Sequence, residues 1–195
     1  GDDWGKAHLT DAIWNAIVDG RMEVETNRYR PAAMFINGNY WGLYNIRDRW
    51  DENWFFQEYG TDNGDYDHVR FDRSALSLEN GKSDDWRELF GFLTKPHLSN
   101  QEAWKVVESE IDVDSLVDFT ICETFGGNTS WQGNREAWQD NRSNGKWRWL
   151  LPDMDRTFGN TSIQSNVTSF IVGETTVSRM RKFPNFRNRL AQRAA

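Results

Sequence analysis

Asn128-Thr129-Ser130-Trp131-Gln132-Gly133-Asn134 and, two predicted strands later, Pro152-Asp153-Met154-Asp155-Arg156-Thr157-Phe158-Gly159 form the stretch on which the reading of this chain turns. The first run follows a predicted helix, residues 116–125, that Gly126-Gly127 ends. It precedes a predicted strand over residues 134–139. Asn144-Gly145 turns the chain, and residues 146–151 return with alternating character. Pro152 stops that strand because it has no N–H for the ladder. Asp153 and Asp155 are thereby placed one residue apart at a strand end. Two such carboxylates can share a divalent metal, and the metal can bridge phosphate oxygens. On its own Asp-x-Asp is a weak signal. It also occurs in nucleotide-sugar glycosyltransferases, and as solvated acid in a strand-end loop.

The order of the pieces adds to it. In phosphoryl-transfer sites a loop supplies a base and then an Asn to a metal, and a later strand-loop supplies a metal-binding Asp. Asn134 and Asp153 stand in that order. The alternative is that Asn128 and Asn134 are turn residues bonding local backbone.

Upstream, residues 32–36 read as a strand, Asn37-Gly38 as a turn and residues 40–46 as the return strand. Asn-Gly is the strongest short hairpin signal, since both turn positions adopt positive φ. Strict alternation puts Tyr40, Gly42, Tyr44 and Ile46 on one face. Residues 7–19 read as a helix stopped by Gly20, with Leu9, Ile13, Ile17, Trp14 and Val18 on its apolar face. Further helices are expected over 50–59 with Asp51 as N-cap, over 84–94, and from a Ser99–Glu102 capping box. The tail 183–195 is basic and reads as a last helix. Residues 60–67 read as a polar loop. Its Asp62, Asp65 and Asp67 miss the EF-hand spacing, so a solvated turn is favoured over a calcium site. The fold class is α+β: two β-hairpins with intervening helices in a single domain spanning 1–195.

Composition sets outer bounds. A net charge of -7 argues against a nucleic-acid-binding surface, which needs clustered Lys and Arg. The 11 Trp suit a secreted carbohydrate-active or surface protein, and equally a core built on Trp. Cys122, the only cysteine, cannot form an internal disulfide and sits in an apolar run, as a small buried hydrophobe does. No run of about 18 apolar residues is present, so no membrane span is expected. Gly1 opens inside a polar stretch with no initiator Met and no leader, which reads as a piece of a longer protein truncated at its N-terminus. Asn-x-Ser/Thr sequons occur at Asn128, Asn141, Asn160 and Asn166.

The run Tyr29-Arg30-Pro31-Ala32-Ala33-Met34-Phe35-Ile36-Asn37-Gly38-Asn39-Tyr40-Trp41-Gly42-Leu43-Tyr44, with Asp48 four residues on, resembles the CotH (spore coat protein H) family. So does the later succession of Gly127-Asn128 to Asn134, Trp147-Arg148-Trp149, Asp153-x-Asp155 and Phe158-Gly159. The resemblance covers roughly residues 28–160. It implies a kinase-like core and an atypical protein kinase that uses ATP and Mg2+ or Mn2+. The phosphoryl group would pass to Ser of a partner protein, in an extracellular, cell-surface or spore-coat setting. It further implies that Asn134 and Asp153 hold metal, that Asp155 supports the metal shell, and that Asp48 and Asn128 lie on the cofactor side. Catalysis would rest on Asp153 and on position 130.

The chain departs from the family at three points. Ser130 stands where the family often has a catalytic Asp, and Ser is a poor general base at pH 7. Asp48 stands where the family usually has Glu, and reaches about 1.5 Å less far toward a phosphate-binding Lys or a metal. Lys6, the only Lys before the hairpin, does not match the family's phosphate-binding Lys. The alternative to an active kinase is therefore a catalytically inactive CotH-fold surface or interaction module.

Overall fold

The computed structural model describes residues 9–73, 75–95, 101–142, 145–158 and 175–195. It opens with helix α1 (Thr10–Val18), then a two-stranded ribbon of β1 (Tyr29–Ile36) and β2 (Asn39–Arg47). Helix α2 (Glu52–Tyr59), strands β3 (Tyr66–Asp72) and β4 (Ala75–Asn80), and helices α3 (Asp84–Leu93), α4 (Gln101–Glu110) and α5 (Val113–Gly126) follow. A 3-10 turn (Trp131–Gly133) leads into β5 (Arg135–Asp140) and β6 (Arg148–Leu150). Helices α6 (Thr175–Met180) and α7 (Pro184–Arg193) close the chain. The α+β class is as expected.

The sheet inventory differs from the expected pair of hairpins. Beside the β1–β2 ribbon lies one antiparallel sheet in the order β4-β3-β5-β6. Its β3–β4 half was not foreseen. Tyr66-Asp67-His68-Val69 mixes acid and imidazole into the strand, so no period of two shows. All four residues are nonetheless buried, because both faces of β3 are covered, Val69 packing into one hydrophobic cluster and Tyr66 into another with Trp54 and Phe55 of α2. The acids read as a polar loop have separate uses. Asp62 N–H donates to Asp65 Oδ2 at 2.9 Å, and buried Asp67 accepts from Lys82 N–H at 2.6 Å.

One sheet face carries Val69, Ala137 and Trp149 into the main core with α3, α4, α5 and α7. The other carries Tyr66, Trp138 and Leu150 against Trp54 and Phe55 of α2. The Trp residues explain themselves here: Trp14, Trp54, Trp86, Trp104, Trp131, Trp138, Trp147 and Trp149 are all buried. Cys122 is buried too, its thiol pushed up chiefly by that burial and resting 3.6 Å from Met22 Sδ. Helix α7 is held to α5 by buried Phe183 and Phe186, and by Arg189 on Asp114 and Arg193 on Asp118.

Two capping expectations hold. Asp51 accepts from Asn53 N–H and Trp54 N–H, and Gly127 is the left-handed residue that ends α5. The face expected for α1 does not hold. Trp14 and Val18 are buried, but Leu9, Ile13 and Ile17 are exposed, because Asp11 and Asn15 take the inward positions and are hydrogen-bonded there. Ser99, Asn144, Gly159 and the sequon residues Asn160 and Asn166 lie outside the described residues.

The Asn37-Gly38 turn is real: φ is 51° and 81°, both left-handed. Changing both to Ala replaces two residues that tolerate the left-handed region by one that pays about 1–2 kcal/mol there, the larger loss falling at Gly38. Ribbon amides should then lose hydrogen-exchange protection; a double variant as protected as wild type would contradict this. The ribbon also carries a bulge. Met34 pairs with Gly42 but Phe35 with Tyr40, so Trp41 is the extra residue. Tyr40 thereby leaves the Gly42–Tyr44–Ile46 face expected for it and sits with Phe35, ring centroids 5.6 Å apart.

Candidate functional site

The loops that follow α5 and β6 meet through buried side chains. The N–H of Asn128 donates to the Glu123 carbonyl at 3.1 Å, continuing the helix cap. Its side chain is 1% exposed: Nδ2 donates to the Asp153 carbonyl at 3.2 Å, and Oδ1 accepts from Ser130 N–H and Ser130 Oγ, both at 3.0 Å. Asn128 therefore ties the two loops together and offers no surface to a cofactor or a glycan. The Ser130 hydroxyl is spent on that tie. Asn134, reached after the 3-10 turn, donates from Nδ2 to Asp153 Oδ2 at 2.8 Å.

Asp153 adopts φ 53°, a left-handed conformation that non-glycine residues rarely take and that gathers at functional sites. Asp153 as a residue remains exposed, but its carboxyl is pushed up to about 6, first by partial desolvation at the cleft wall and then by the hydrogen bond and charge of Asp155. Two carboxyls this close, the charge of one raising the other, are a donor set that a divalent cation suits. With the Asn134 amide they give the few oxygen donors that Mg2+ or Mn2+ accepts alongside phosphate oxygens and water. The residues present fit such an ion. Among the described residues no group of three or more His, Cys, Asp or Glu side chains is poised to hold a metal by itself.

The acidic loop is anchored from α1. Buried Asp11 accepts Met154 N–H at 2.7 Å with Oδ1 and pairs with Arg47 of β2 through Oδ2. Trp14 Nε1 donates to Thr157 Oγ1 at 2.6 Å, and its indole stacks on Phe158 at 5.0 Å. Gly126 makes this possible, since a Cβ there would meet the Trp14 ring at 2.8 Å and the Thr157 methyl at 2.9 Å. The fields of Asp153 and Asp155 also reach the Arg47 guanidinium, whose pKa is lowered by burial despite them.

A cleft of about 630 Å³ joins these parts. It is lined by Asp48, Asn134 and Asp153 together with Trp50, Asp51, Glu52 and Asn80, and floored by His68, Arg70 and Glu136 of the sheet. That volume lies within the usual range for small-ligand sites. Ser130, Asn128 and Asp155 do not line it. Asp48 was expected to face a Lys or a metal; its partner is Arg28, whose Nε donates to Asp48 Oδ2 at 2.8 Å and which also pairs with Glu58.

Reading the sequence missed three further groups. His68 Nε2 lies 2.9 Å from Glu136 Oε2, with Arg70 Nε 3.7 Å from Oε1. These side chains meet only because β3 pairs with β5, Arg70 directly opposite Glu136. Arg47 and Asp11 meet only across α1 and β2. Glu123, near the end of α5, is 3% exposed, and neither carboxyl oxygen has a hydrogen-bond partner within bonding geometry. Its sole sequence signal is an acid in an apolar helix.

The arrangement defines a class: an α+β protein with a paired-acid loop at the mouth of a ligand-sized cleft. The chain belongs to a particular family of that description, for the CotH kinase protein family model matches residues 6–195, essentially its whole length. No curated protein matches the chain.

Proposed function

We propose that this domain binds ATP with Mg2+ or Mn2+ in the cleft and transfers phosphoryl groups to Ser of a partner protein, as a kinase-like member of its family. The observation that carries this reading is the convergence of Asp48, Asn134 and Asp153 on one ligand-sized cleft from three separate parts of the chain. Asp153, Asp155 and Asn134 would hold the ion, which when bound supplies charge neutralisation to phosphate oxygens. Asn134 orients the Asp153 carboxylate through its amide N–H. Asn128 fixes the Asp153 backbone, and Asp11 fixes that of Met154, so the acids are preorganised before ligand arrives. The glycosyltransferase alternative draws no support from the fold: among the described residues both sheets are antiparallel and form no Rossmann crevice.

A second reading rests on Ser130. Its hydroxyl is hydrogen-bonded to Asn128, and absence of a positioned base typically costs about 10²–10⁴ in rate. The domain then serves as a CotH-fold interaction module. A spore-coat or cell-surface setting suits both readings, and neither involves a membrane-spanning helix; among the described residues no helix is long and apolar enough to cross one.

The test is a thermal shift with Mg-ATP and Mn-ATP, followed by a phosphotransfer assay on Ser-containing protein. Ligand at about 100 times its Kd stabilises by about 2.7 kcal/mol. Stabilisation with transfer supports the kinase. Stabilisation without transfer supports the module, and no stabilisation at millimolar nucleotide sinks the nucleotide site altogether.

A further inference from the structure

Ser130 leaves the proposed phosphoryl transfer without a base at the expected position, since its hydroxyl is bonded to Asn128 Oδ1. The floor of the cleft holds a different one. Strand β3 pairs antiparallel with β5, His68 opposite Trp138 and Arg70 opposite Glu136. Opposite residues share a face, and so do residues two apart, so His68, Arg70 and Glu136 lie together. All three line the cleft. The His68 side chain is 4% exposed, and its Nε2 lies 2.9 Å from Glu136 Oε2. The Phe55 ring of α2 packs against it edge-on, centroids 5.5 Å apart, so the imidazole has little freedom to turn.

Glu136 decides which ring nitrogen is available. A carboxylate only accepts, so in the neutral ring Nε2 carries the proton and Nδ1 the lone pair. Nδ1 has no partner among the described residues, and it is not one of the polar atoms closed off from solvent. A carboxylate held against one imidazole nitrogen stabilises the imidazolium that forms when the other takes a proton. Two other acids of the cleft are committed elsewhere: Asp48 pairs with Arg28, and Asp51 caps α2. The placement along β5 also suits a base. Asn134, two residues before Glu136, bonds Asp153 at 2.8 Å. Two residues of extended chain span at most about 7 Å. A phosphoryl group and an attacking hydroxyl fit such a gap, with reacting atoms about 3–3.5 Å apart.

We propose that His68 is the general base of this domain and Glu136 its positioning residue, an inference that rests on the kinase reading above. His68 Nδ1 takes the proton of the acceptor Ser hydroxyl, directly or through one water. The Ser Oγ bonds to the γ-phosphorus of ATP as the bond from that phosphorus to the β,γ-bridging oxygen breaks. ADP and the phosphoserine product leave, and the imidazolium returns its Nδ1 proton to solvent. The Nε2 proton stays on the ring throughout, held by Glu136.

The test is steady-state transfer from Mg-ATP to dephosphorylated casein by wild type and His68→Gln. Gln keeps an N–H donor for Glu136 and lacks the second nitrogen, so circular dichroism and Mg-ATP affinity should stay those of wild type. Its kcat should fall about 10²–10⁴-fold with the KM for ATP unchanged. A second measurement needs neither acceptor nor nucleotide. Nitrogen-15 NMR of the histidine-labelled chain at mildly alkaline pH should show His68 protonated at Nε2 alone. In Glu136→Gln the Nδ1–H tautomer should appear beside it, which loss of packing alone would not produce. His68→Gln as fast as wild type overturns the base and leaves the kinase reading standing. So does a wild-type His68 protonated at Nδ1. Stabilisation by Mg-ATP without transfer in the wild type overturns the base together with the kinase reading.

Discussion

If the proposed function is right, Asp153→Ala should abolish metal-dependent binding in the cleft while the domain stays folded. Asp153 is the one carboxylate that combines a place in the cleft lining, a hydrogen bond from Asn134 and contact with Asp155. Changes to groups that merely orient a ligand cost about 10–100-fold in metal affinity, and loss of the ligand itself should exceed that. The fold should survive, since no strand pairing or buried cluster depends on this side chain. The left-handed φ of 53° sets the residual cost. Ala pays about 1–2 kcal/mol there, whereas Asn takes that conformation readily. Asp153→Asn therefore separates the effects, keeping wild-type stability while losing the charge. Calorimetric titration with Mn2+ measures both variants, and an unchanged titration in Asp153→Ala would place the site elsewhere.

The same carboxyl predicts a pH dependence. A proton on Asp153 competes with the ion, and its pKa is pushed up to about 6. Wild-type affinity should rise as pH increases through about 6 and level off above it, because only the carboxylate binds metal. In Asp153→Asn that rise should vanish. Persistence of the rise would assign the competing proton to another group.

Why these groups escape or yield to sequence reading is a matter of range. The Asn37-Gly38 turn, the Asp51 cap and the Gly127 stop are local devices, each set by two to four neighbouring residues, and each appears where expected. The ordered succession of Asn128, Asn134 and Asp153 is local enough to point to one site. What failed was anything decided by a distant partner. Strand β3 looks like loop because its acids and His68 are satisfied by Lys82 and Glu136, far away in sequence. Helix α1 turns Asp11 inward, against its own hydrophobic pattern, because Met154 N–H and Arg47 wait there. Asp48 meets Arg28 because the ends of β1 and β2 are paired, and the Asp48 N–H donates to the Arg28 carbonyl at 3.0 Å. The bulge at Trp41 reverses a face that strict alternation assigns with apparent certainty. Asn128 was expected on the cofactor side; its side-chain amide is taken up by Ser130 and the Asp153 carbonyl.

Glu123→Gln should stabilise the domain at neutral pH. Both oxygens of Glu123 lack hydrogen-bond partners, and the residue is 3% exposed. An unpaired carboxylate in such a place is too costly to keep its charge, so the group folds as the neutral acid. Burial raises its pKa well above the usual carboxylate range; the nearby Asn128 amide, too poorly placed for a hydrogen bond, opposes this, the charge of Asp153 adds to it, and Arg135 weakly opposes it. In the unfolded chain Glu ionises near pH 4.3. The folded state thus holds a proton that the unfolded state releases. Its contribution to stability is complete below the unfolded pKa and is lost as pH rises toward the folded one. Over that window the wild type should lose roughly 1.4 kcal/mol per pH unit to this group. Gln has the same shape and no proton to shed, so the variant should lack that part of the slope. The measurement is denaturant unfolding of both proteins from pH 5 to pH 8, a span chosen to lie above the unfolded value of about 4.3. The difference in stability should widen in favour of Glu123→Gln with each step upward. A constant difference would mean that Glu123 ionises alike in both states, and the buried neutral acid would have to be abandoned.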